Sequence, residues 1–552
     1  MELIRDLQRR AAERPERLAH CVVGGGSLTF GEWWQQAEKL VSRLSRTCAP
    51  GARVGLTFKR TEAVDAAVAL LAVWLAEAVP VLLPADRAVN SAVTEELGLV
   101  ANLNGSNWVW HSTQSGGSQR ATCSDDWRAA AVVLTSGTGG FPKAVAISPI
   151  ELVREVPERW CEEVMFNLSP LYTGDALGNL VAPLVDGRLV VSLDGVAGTS
   201  FWGAVEQYRP TYLKLVPSMI KLITRENRPA IPSVRRIGLG SAEIGVGDIA
   251  DLKAMFPKAR IYANYSSTES GRTSLVWRVD DYKTTGWAGE LGNPGLGTEV
   301  RLVGEDGSVI HKAGIPGEIQ LCTKGSHTRR LLTLGGQESA QAADGWVRMG
   351  DLGEYDNRGR LWFRCRTAEV VNVGGEKISL RDVDKALQDL SEVAAAATAA
   401  VPHPILGSAV VALVIAAKEV DKYEILNAVG RRFRGADRPI RVHVGTEIPL
   451  NETGKVSRSE VARIVTGAPV QRAPVNDEAF MQVLRASLGE ELSLENSIAD
   501  SGASSLSLIM LCVDLEWQFG VLLDVFDVLS SPSFAHLAEI TRARQEEQDP
   551  NV

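Results

Sequence analysis

The stretch AVVLTSGTGGFPKAV, Ala131 to Val145, constrains this chain more than any other. An apolar run gives way to small hydroxyl residues and glycine, then closes on Pro142-Lys143. Apolar residues meeting a glycine-rich turn read as a buried strand leading into a loop. The loop offers hydroxyls from Thr135, Ser136 and Thr138, and open backbone N–H groups around Gly137, Gly139 and Gly140. Lys143 adds one positive charge. Many short donors, no bulk and one cation suit a polyphosphate. The spacing is not GxxxxGK[ST], because Lys143 follows proline and precedes Ala144. An ordinary Gly/Ser/Thr connection would share the composition, so the rest of the chain must decide.

A chain of 552 residues is too long for one core, and two to four domains are expected. A formal net charge of −9 argues against an extensive nucleic-acid surface, and no nucleic-acid partner is expected. Seven scattered cysteines form no CxxC or Cys/His cluster, which disfavours a metal or disulfide framework. MELIRDLQRRAAERPE reads as a charged amphipathic helix rather than a secretory signal. The apolar run from Ala66 to Ala76 is too short to span a bilayer, so no membrane association and a cytoplasmic location are expected.

Residues 1–130 alternate helical patterns (about 2–13, 31–46 and 61–77) with apolar runs at 52–58 and 79–83, as in α/β folds. Residues 165–191 read as strand, loop, helix, Asp186-Gly187 turn and strand. Residues 209–220 read as a strand ending at Pro217 and then a helix, and 236–244 as a strand ending in small residues. Residues 280–365 carry short strands and Gly turns. The Pro/Ala/polar run 466–476 reads as a linker. Apolar positions at Phe480, Val483, Leu484, Leu488 and Leu492 open a helical region.

In this order the motifs resemble the adenylate-forming superfamily, which includes acyl-CoA synthetases, luciferases and the adenylation domains of nonribosomal peptide synthetases. TSGTGGFPKA is similar to the phosphate loop TSG[ST]TGxPKG, with Gly139 for the usual Thr and Ala144 for the usual Gly. YSSTE (265–269) resembles YGxTE, DGWVRMGDLGEYDNRGRLWFRCR (344–366) resembles the family's GD…GR stretch, and LNETGKVSR resembles its GKvxR ending. The resemblance implies an ATP site made by Thr135, Ser136, Gly137, Thr138, Gly139, Gly140 and Lys143 at the phosphates. Gly240, Ser241 and Ala242 would let adenine and the acyl group approach the backbone closely. Tyr265 would stack on adenine, Thr268 would contact the α-phosphate, and Glu269 would hold Mg²⁺. Asp351 would accept from the ribose hydroxyls, and Arg366 would face the phosphates. Lys455 would be the catalytic lysine, neutralising carboxylate and α-phosphate. Ala368 stands at the hinge, where Asp or Lys is usual.

Thr173, Gly174, Asp175, Leu215, Gly238, Asn264, Arg272 and Thr273 would line the acid pocket. Acyl and aryl ligases place a His where Thr173 stands; amino-acid-activating domains place an ammonium-binding Asp where Gly174 stands, one residue before Asp175. A one-residue slip would make Asp175 the amine partner, so amino acids and simple acids both stay open.

DSGASSLSL (500–508) resembles the carrier-protein motif DxGxxSL, with Ser505 opening a helix. It implies 4'-phosphopantetheine on Ser505, a thiol arm of about 20 Å. A serine at a helix start is also an ordinary cap. The expected organisation is multidomain α/β. An adenylation core (1–367) with a β-rich subdomain precedes a small α+β lid (368–465). A linker (466–476), a four-helix carrier domain (477–545) and a disordered tail (546–552) follow.

The implied reaction converts a carboxylic or amino acid and ATP to acyl-AMP and pyrophosphate. The phosphopantetheine thiol carried on Ser505 would then take the acyl group as a thioester, releasing AMP. Expected partners are a phosphopantetheinyl transferase and downstream enzymes of natural-product, including antibiotic, biosynthesis. Two alternatives stand beside it: an acyl- or aryl-CoA ligase with a vestigial helical tail, and a non-catalytic scaffold on a degenerate fold.

Overall fold

The computed structural model describes residues 2–46, 48–85, 91–105, 107–110, 129–135, 143–152, 162–196, 199–224, 228–240, 244–268, 270, 275–278, 289–294, 298–323, 329–332, 345–403, 406–417, 420, 424–425, 428–429, 432–433, 437–450, 456–467, 474–488, 492–498, 501, 505–521, 523 and 525–548. The chain divides into two compact units, residues 1–364 and 365–552.

The first unit holds a nine-stranded and a seven-stranded sheet. In the nine-stranded sheet, Arg260–Tyr265, Arg236–Leu239, Tyr212–Leu215, Val164–Asn167, Leu189–Ser192 and Leu18–Val22 lie side by side and parallel. Their near-continuous apolar runs are what a sheet covered on both faces requires. Helices Thr199–Tyr208, Pro217–Thr224 and Val246–Met255 contribute to one core around Phe166, Phe201 and Ile237. A second core gathers Trp33, Leu70, Val133 and Leu180 from helices Phe30–Leu44, Ala63–Leu75 and Gly174–Asp186 and the strand Ala131–Thr135. Ala63–Leu75 is apolar apart from the exposed Asp65 in its first turn, and it is buried accordingly.

Local signals explain the element ends. SLTFGE forms a capping box: Glu32 N–H donates to Thr29 Oγ1 at 3.2 Å, and Thr29 N–H donates to Glu32 Oε2 at 2.9 Å. Gly187 ends the Gly174–Asp186 helix in the left-handed conformation, φ 77°. The strand Ala131–Thr135 pairs antiparallel with Lys143–Ile147, so Thr135 lies opposite Lys143 at the neck of the glycine loop. A five-stranded sheet, Val309–Ile310, Thr298–Val303, Gly317–Thr323, Val347–Tyr355 and Leu361–Arg366, forms the expected β-rich part.

In the second unit, Glu376–Ser379, Val370–Val373, Gly407–Ala416 and Val393–His403 form an antiparallel sheet, and Arg441–Gly445 joins it parallel to Gly407–Ala416. Helices Leu380–Gln388 and Arg458–Gly467 pack on it. Four further helices, Asp477–Leu488, Ser505–Phe519, Val525–Ser530 and Phe534–Gln548, enclose their own core of Phe480, Leu484, Leu511, Phe519 and Phe534.

Three boundaries differ from the sequence expectation. The units part between Arg364 and Cys365, three residues before the expected 367/368 division, and Ala368 falls within a 3-10 turn, Thr367–Glu369. The expected linker start, 466–467, is the last turn of the Arg458–Gly467 helix, where Val465 is buried. Residues 546–548 are helical rather than disordered. Gln545 anchors that end: its Nε2 donates to Phe519 O and its Oε1 accepts from Val475 N–H, both at 2.9 Å.

The helical region also shares one compact unit with the lid. Val513 enters the lid core, and Arg438 donates to the buried Asp514 carboxylate at 2.8 Å.

Candidate active site

Leu215, Leu239 and Tyr265 end three neighbouring parallel strands. Ligands of open α/β sheets bind beyond the carboxyl ends of their strands. Gly240 follows directly, and a Cβ there would come within 3.3 Å of Asn264 O, so the backbones approach closely because the residue is glycine.

At the same edge the Tyr265 hydroxyl donates to Asp351 Oδ2 at 2.5 Å. Asp351 is 1% exposed, on the strand Val347–Tyr355 of the five-stranded sheet. Two residues after Tyr265 and two before Asp351, the Ser267 hydroxyl meets Met349 Sδ at 3.8 Å. The turn is closed locally: Ser267 N–H donates to Ser270 Oγ and Ser270 N–H donates to Ser267 Oγ, both at 3.0 Å. Thr268 sits half-buried in that turn. The serine pair was not read from the sequence; S-x-x-S was the available signal.

A second polar group lies around Asp175. Thr173 caps the Gly174–Asp186 helix, accepting from Ala176 N–H at 3.1 Å, which fixes Gly174 and Asp175 in the first turn. Asp175 Oδ2 accepts from Ser169 Oγ at 2.8 Å, and Asp175 Oδ1 pairs with the Lys214 ammonium. Behind it, Asn179 donates to Asn167 Oδ1 at 2.9 Å and Asn167 donates to Ser192 Oγ at 3.2 Å. Burial opposes the Asp175 carboxylate, but the Lys214 charge and hydrogen bonds from Lys214, Ser169 and Asn179 prevail and hold its pKa below the usual range. Burial likewise opposes the Lys214 charge, yet Asp175 first and Tyr212 second raise its pKa.

Strand alternation separates the expected pocket residues. Lys214, Gly238 and Tyr262 are register partners across three strands, and Asn264 lies two residues beyond Tyr262 on the same face. Leu215 points the other way, 3% exposed within the Phe166–Phe201 core, so its side chain is core and not pocket lining. Lys214, one residue earlier on the strand, shares the face of Gly238 and Asn264 instead.

Arg366 and Ala368 belong to the second unit. Arg366 N–H donates to Glu369 Oε2 at 3.2 Å, closing the 3-10 turn. Glu369 Oε1 in turn accepts from Arg458 Nε at 3.0 Å. Arg458 also reaches Asp384 Oδ2 at 2.9 Å and Thr398 O at 2.6 Å. Ser136, Gly137, Thr138, Gly139, Gly140, Ser241, Ala242, Glu269, Arg272, Thr273 and Lys455 lie outside the described residues. The Ser505–Phe519 helix begins at Ser505.

Family comparison matches residues 87–330 to the AMP-binding enzyme family and residues 382–455 to the AMP-binding enzyme C-terminal domain. The chain belongs to the AMP-binding, adenylate-forming superfamily. It is 27% identical over 339 residues to the sulfoacetate–CoA ligase of Cupriavidus necator, covering 60% of this chain and 66% of that protein. It is also 27% identical over 361 residues to FadD10 of Mycobacterium tuberculosis, a medium/long-chain-fatty-acid–[acyl-carrier-protein] ligase, covering 61% and 66%. The matched part therefore falls just short of two thirds of these relatives' length.

In fold, the chain is similar to o-succinylbenzoate coenzyme A synthetase (MenE) of Bacillus subtilis, solved with ATP and magnesium ion. That match has a TM-score of 0.65 and 19% identity, covering 83% of this chain and 99% of that one. ATP-bound MatB of Rhodopseudomonas palustris gives 0.67 and 20%, covering 84% and 98%. Both matched family regions end before the helix Asp477–Leu488, so neither identifies the helical region as a carrier domain. Among the described residues no helix is long and apolar enough to cross a membrane.

Proposed function

We propose that this protein joins a carboxylic acid to a thiol in two steps. ATP and the acid give acyl-AMP and pyrophosphate, and the thiol then displaces AMP. One observation carries the reading: Tyr265 and Asp351, matched separately to adenine and ribose contacts, are hydrogen-bonded neighbours at a strand-end edge. Lys455 is the proposed electrostatic catalyst of the first step, and Glu269 the proposed Mg²⁺ ligand. The test is acid-dependent ATP–pyrophosphate exchange across amino, hydroxy, aryl and aliphatic acids.

The acceptor is proposed to be coenzyme A or the phosphopantetheine thiol of an acyl carrier protein. The names of the relatives support this choice: they are CoA ligases and fatty acid–[acyl-carrier-protein] ligases. They favour it over the self-loading peptide-synthetase organisation read from the sequence.

The self-loading form remains a second reading because of one observation. A helical unit with its own apolar core follows the lid, and one of its helices starts at Ser505. Intact mass after treatment with a phosphopantetheinyl transferase, ATP and the acid separates the readings. A thioester on Ser505 supports self-loading. Turnover with free coenzyme A and an unmodified Ser505 supports the CoA ligase.

A further inference from the structure

The Asp175–Lys214 pair lies beside the small residues expected to form the acid pocket. Lys214 is the register partner of Gly238, and a Cβ on Gly238 would come within 3.7 Å of Lys214 Cγ. The nearest atom to such a Cβ is the Tyr212 hydroxyl, at 3.2 Å, so Tyr212 and the Lys214 stem flank this glycine together. The pair is not sealed: the Lys214 side chain is 31% exposed and that of Asp175 47%. It is nevertheless positioned, since Ser169 donates to the other Asp175 oxygen and Asn179 and Asn167 back it.

Resting on the acid–thiol ligase reading, we propose that Lys214 is a specificity residue: it occupies the place at Asp175 that a substrate ammonium would take. The pocket therefore selects an acid that lacks an α-amine and bears an uncharged oxygen acceptor, a hydroxyl or a carbonyl, for Lys214. An ammonium has three N–H donors, and among the described residues Asp175 is the one recorded hydrogen-bond acceptor for Lys214, so donors remain for a substrate oxygen. A second ammonium entering the site would face the Lys214 charge at close range, which disfavours its charged form. A second carboxylate would face Asp175 in the same way. The neighbouring charges do not tip this balance. Arg188 pairs with Asp186 and Glu163, and Arg236 pairs with Glu163 while stacking over Tyr212 at 4.1 Å. The site is close to neutral, and a neutral acceptor fits it best.

The experiment uses matched acids of one carbon skeleton carrying 2-amino, 2-hydroxy, 2-oxo or no substituent, over alkyl and aryl skeletons. Equilibrium binding is measured by calorimetry on the full chain, with ATP–pyrophosphate exchange in parallel. Wild type is expected to prefer the hydroxy or oxo member over the amino member by about tenfold or more, the worth of one charge-assisted hydrogen bond. Lys214→Met should move that ratio by about tenfold toward the amino acid, because Asp175 becomes available to it. Asp175→Asn keeps Lys214 and should leave the hydroxy and oxo preference in place. The proposal is overturned if wild type prefers the amino acid, if Lys214→Met leaves the ratio unchanged, or if none of the acids binds. Discriminating binding without exchange would sink the ligase reading and leave this inference standing. Exchange without discrimination would do the reverse.

Discussion

The Tyr265 hydroxyl donates to Asp351 Oδ2 at 2.5 Å, joining the end of a central strand to the five-stranded sheet. One link thereby aligns an aromatic face and a carboxylate from segments 86 residues apart. A nucleoside needs that combination, because its base stacks and its sugar donates.

Tyr265→Phe keeps the ring and removes the donor. Hydrogen bonds to charged groups contribute about 1.5–3 kcal/mol, so the variant should unfold at lower urea by that order. Its KM for ATP should rise by about three- to tenfold as Asp351 loses its positioning partner. Chemical unfolding and ATP-dependent exchange measure the two effects.

The Asp175–Lys214 pair gives a pH prediction with a definite sign. The folded Asp175 pKa is depressed, so its contribution is present above the unfolded carboxylate pKa, about 3.9. That contribution is lost as pH falls through the lower folded value. The folded Lys214 pKa is raised, so its contribution is complete below about 10.4 and is lost as pH rises through the higher folded value. Between those limits the pair is ionised, and Asp175→Asn should lower stability by a constant amount from about pH 5 to 9. The gap between variant and wild type should close at strongly acid pH, and narrow again at strongly alkaline pH where Lys214 loses its charge. Urea melts across this range check it.

Arg458 ties the 3-10 turn at the unit boundary to the lid. It binds Glu369, Asp384 and the Thr398 carbonyl, and two of these partners are carboxylates. Arg458→Ala leaves both carboxylates without that charge. The network is only partly buried, so the loss should fall below the roughly 3–5 kcal/mol of a fully buried pair, and amide-exchange protection around 369–398 should drop. Arg458→Lys should rescue only partly, since one ammonium cannot reproduce the fork.

The lid and the last four helices meet at Arg438 and Asp514. Burial raises the Asp514 pKa, while Arg438 and then Ser487 oppose the rise. Arg438→Leu strands a carboxylate that is 4% exposed, whereas Asp514→Asn removes the charge and keeps the shape. The first should be clearly more destabilising than the second, by about 1–3 kcal/mol. Limited proteolysis of the 477–548 region reads the difference.

Much of this architecture was legible in the sequence, and the misses share a cause. The strand at 79–83 and the helix 174–186 were readable because period and punctuation agree there: Gly187 supplies the positive φ that ends the helix. Asp186-Gly187 and Thr29…Glu32 are local signals, and local signals survive in a linear reading. Leu215 turns into the core because strand faces alternate. A shift of one residue exchanged a core leucine for Lys214. The Tyr265–Asp351 bond and the Arg458 fork were invisible because each depends on tertiary approach over many residues. The helical end at 546–548 was read as tail because its composition is polar. Gln545, bonded to Phe519 and Val475, fixes it through contacts the composition does not show.

The central claim is adenylation, and ATP–pyrophosphate exchange by the full chain and its Lys455→Ala variant tests it most directly. Exchange should depend on a carboxylic acid and fall by about 100-fold or more when the Lys455 charge is removed. An exchange rate that no acid stimulates, or one that Lys455→Ala leaves intact, would contradict it.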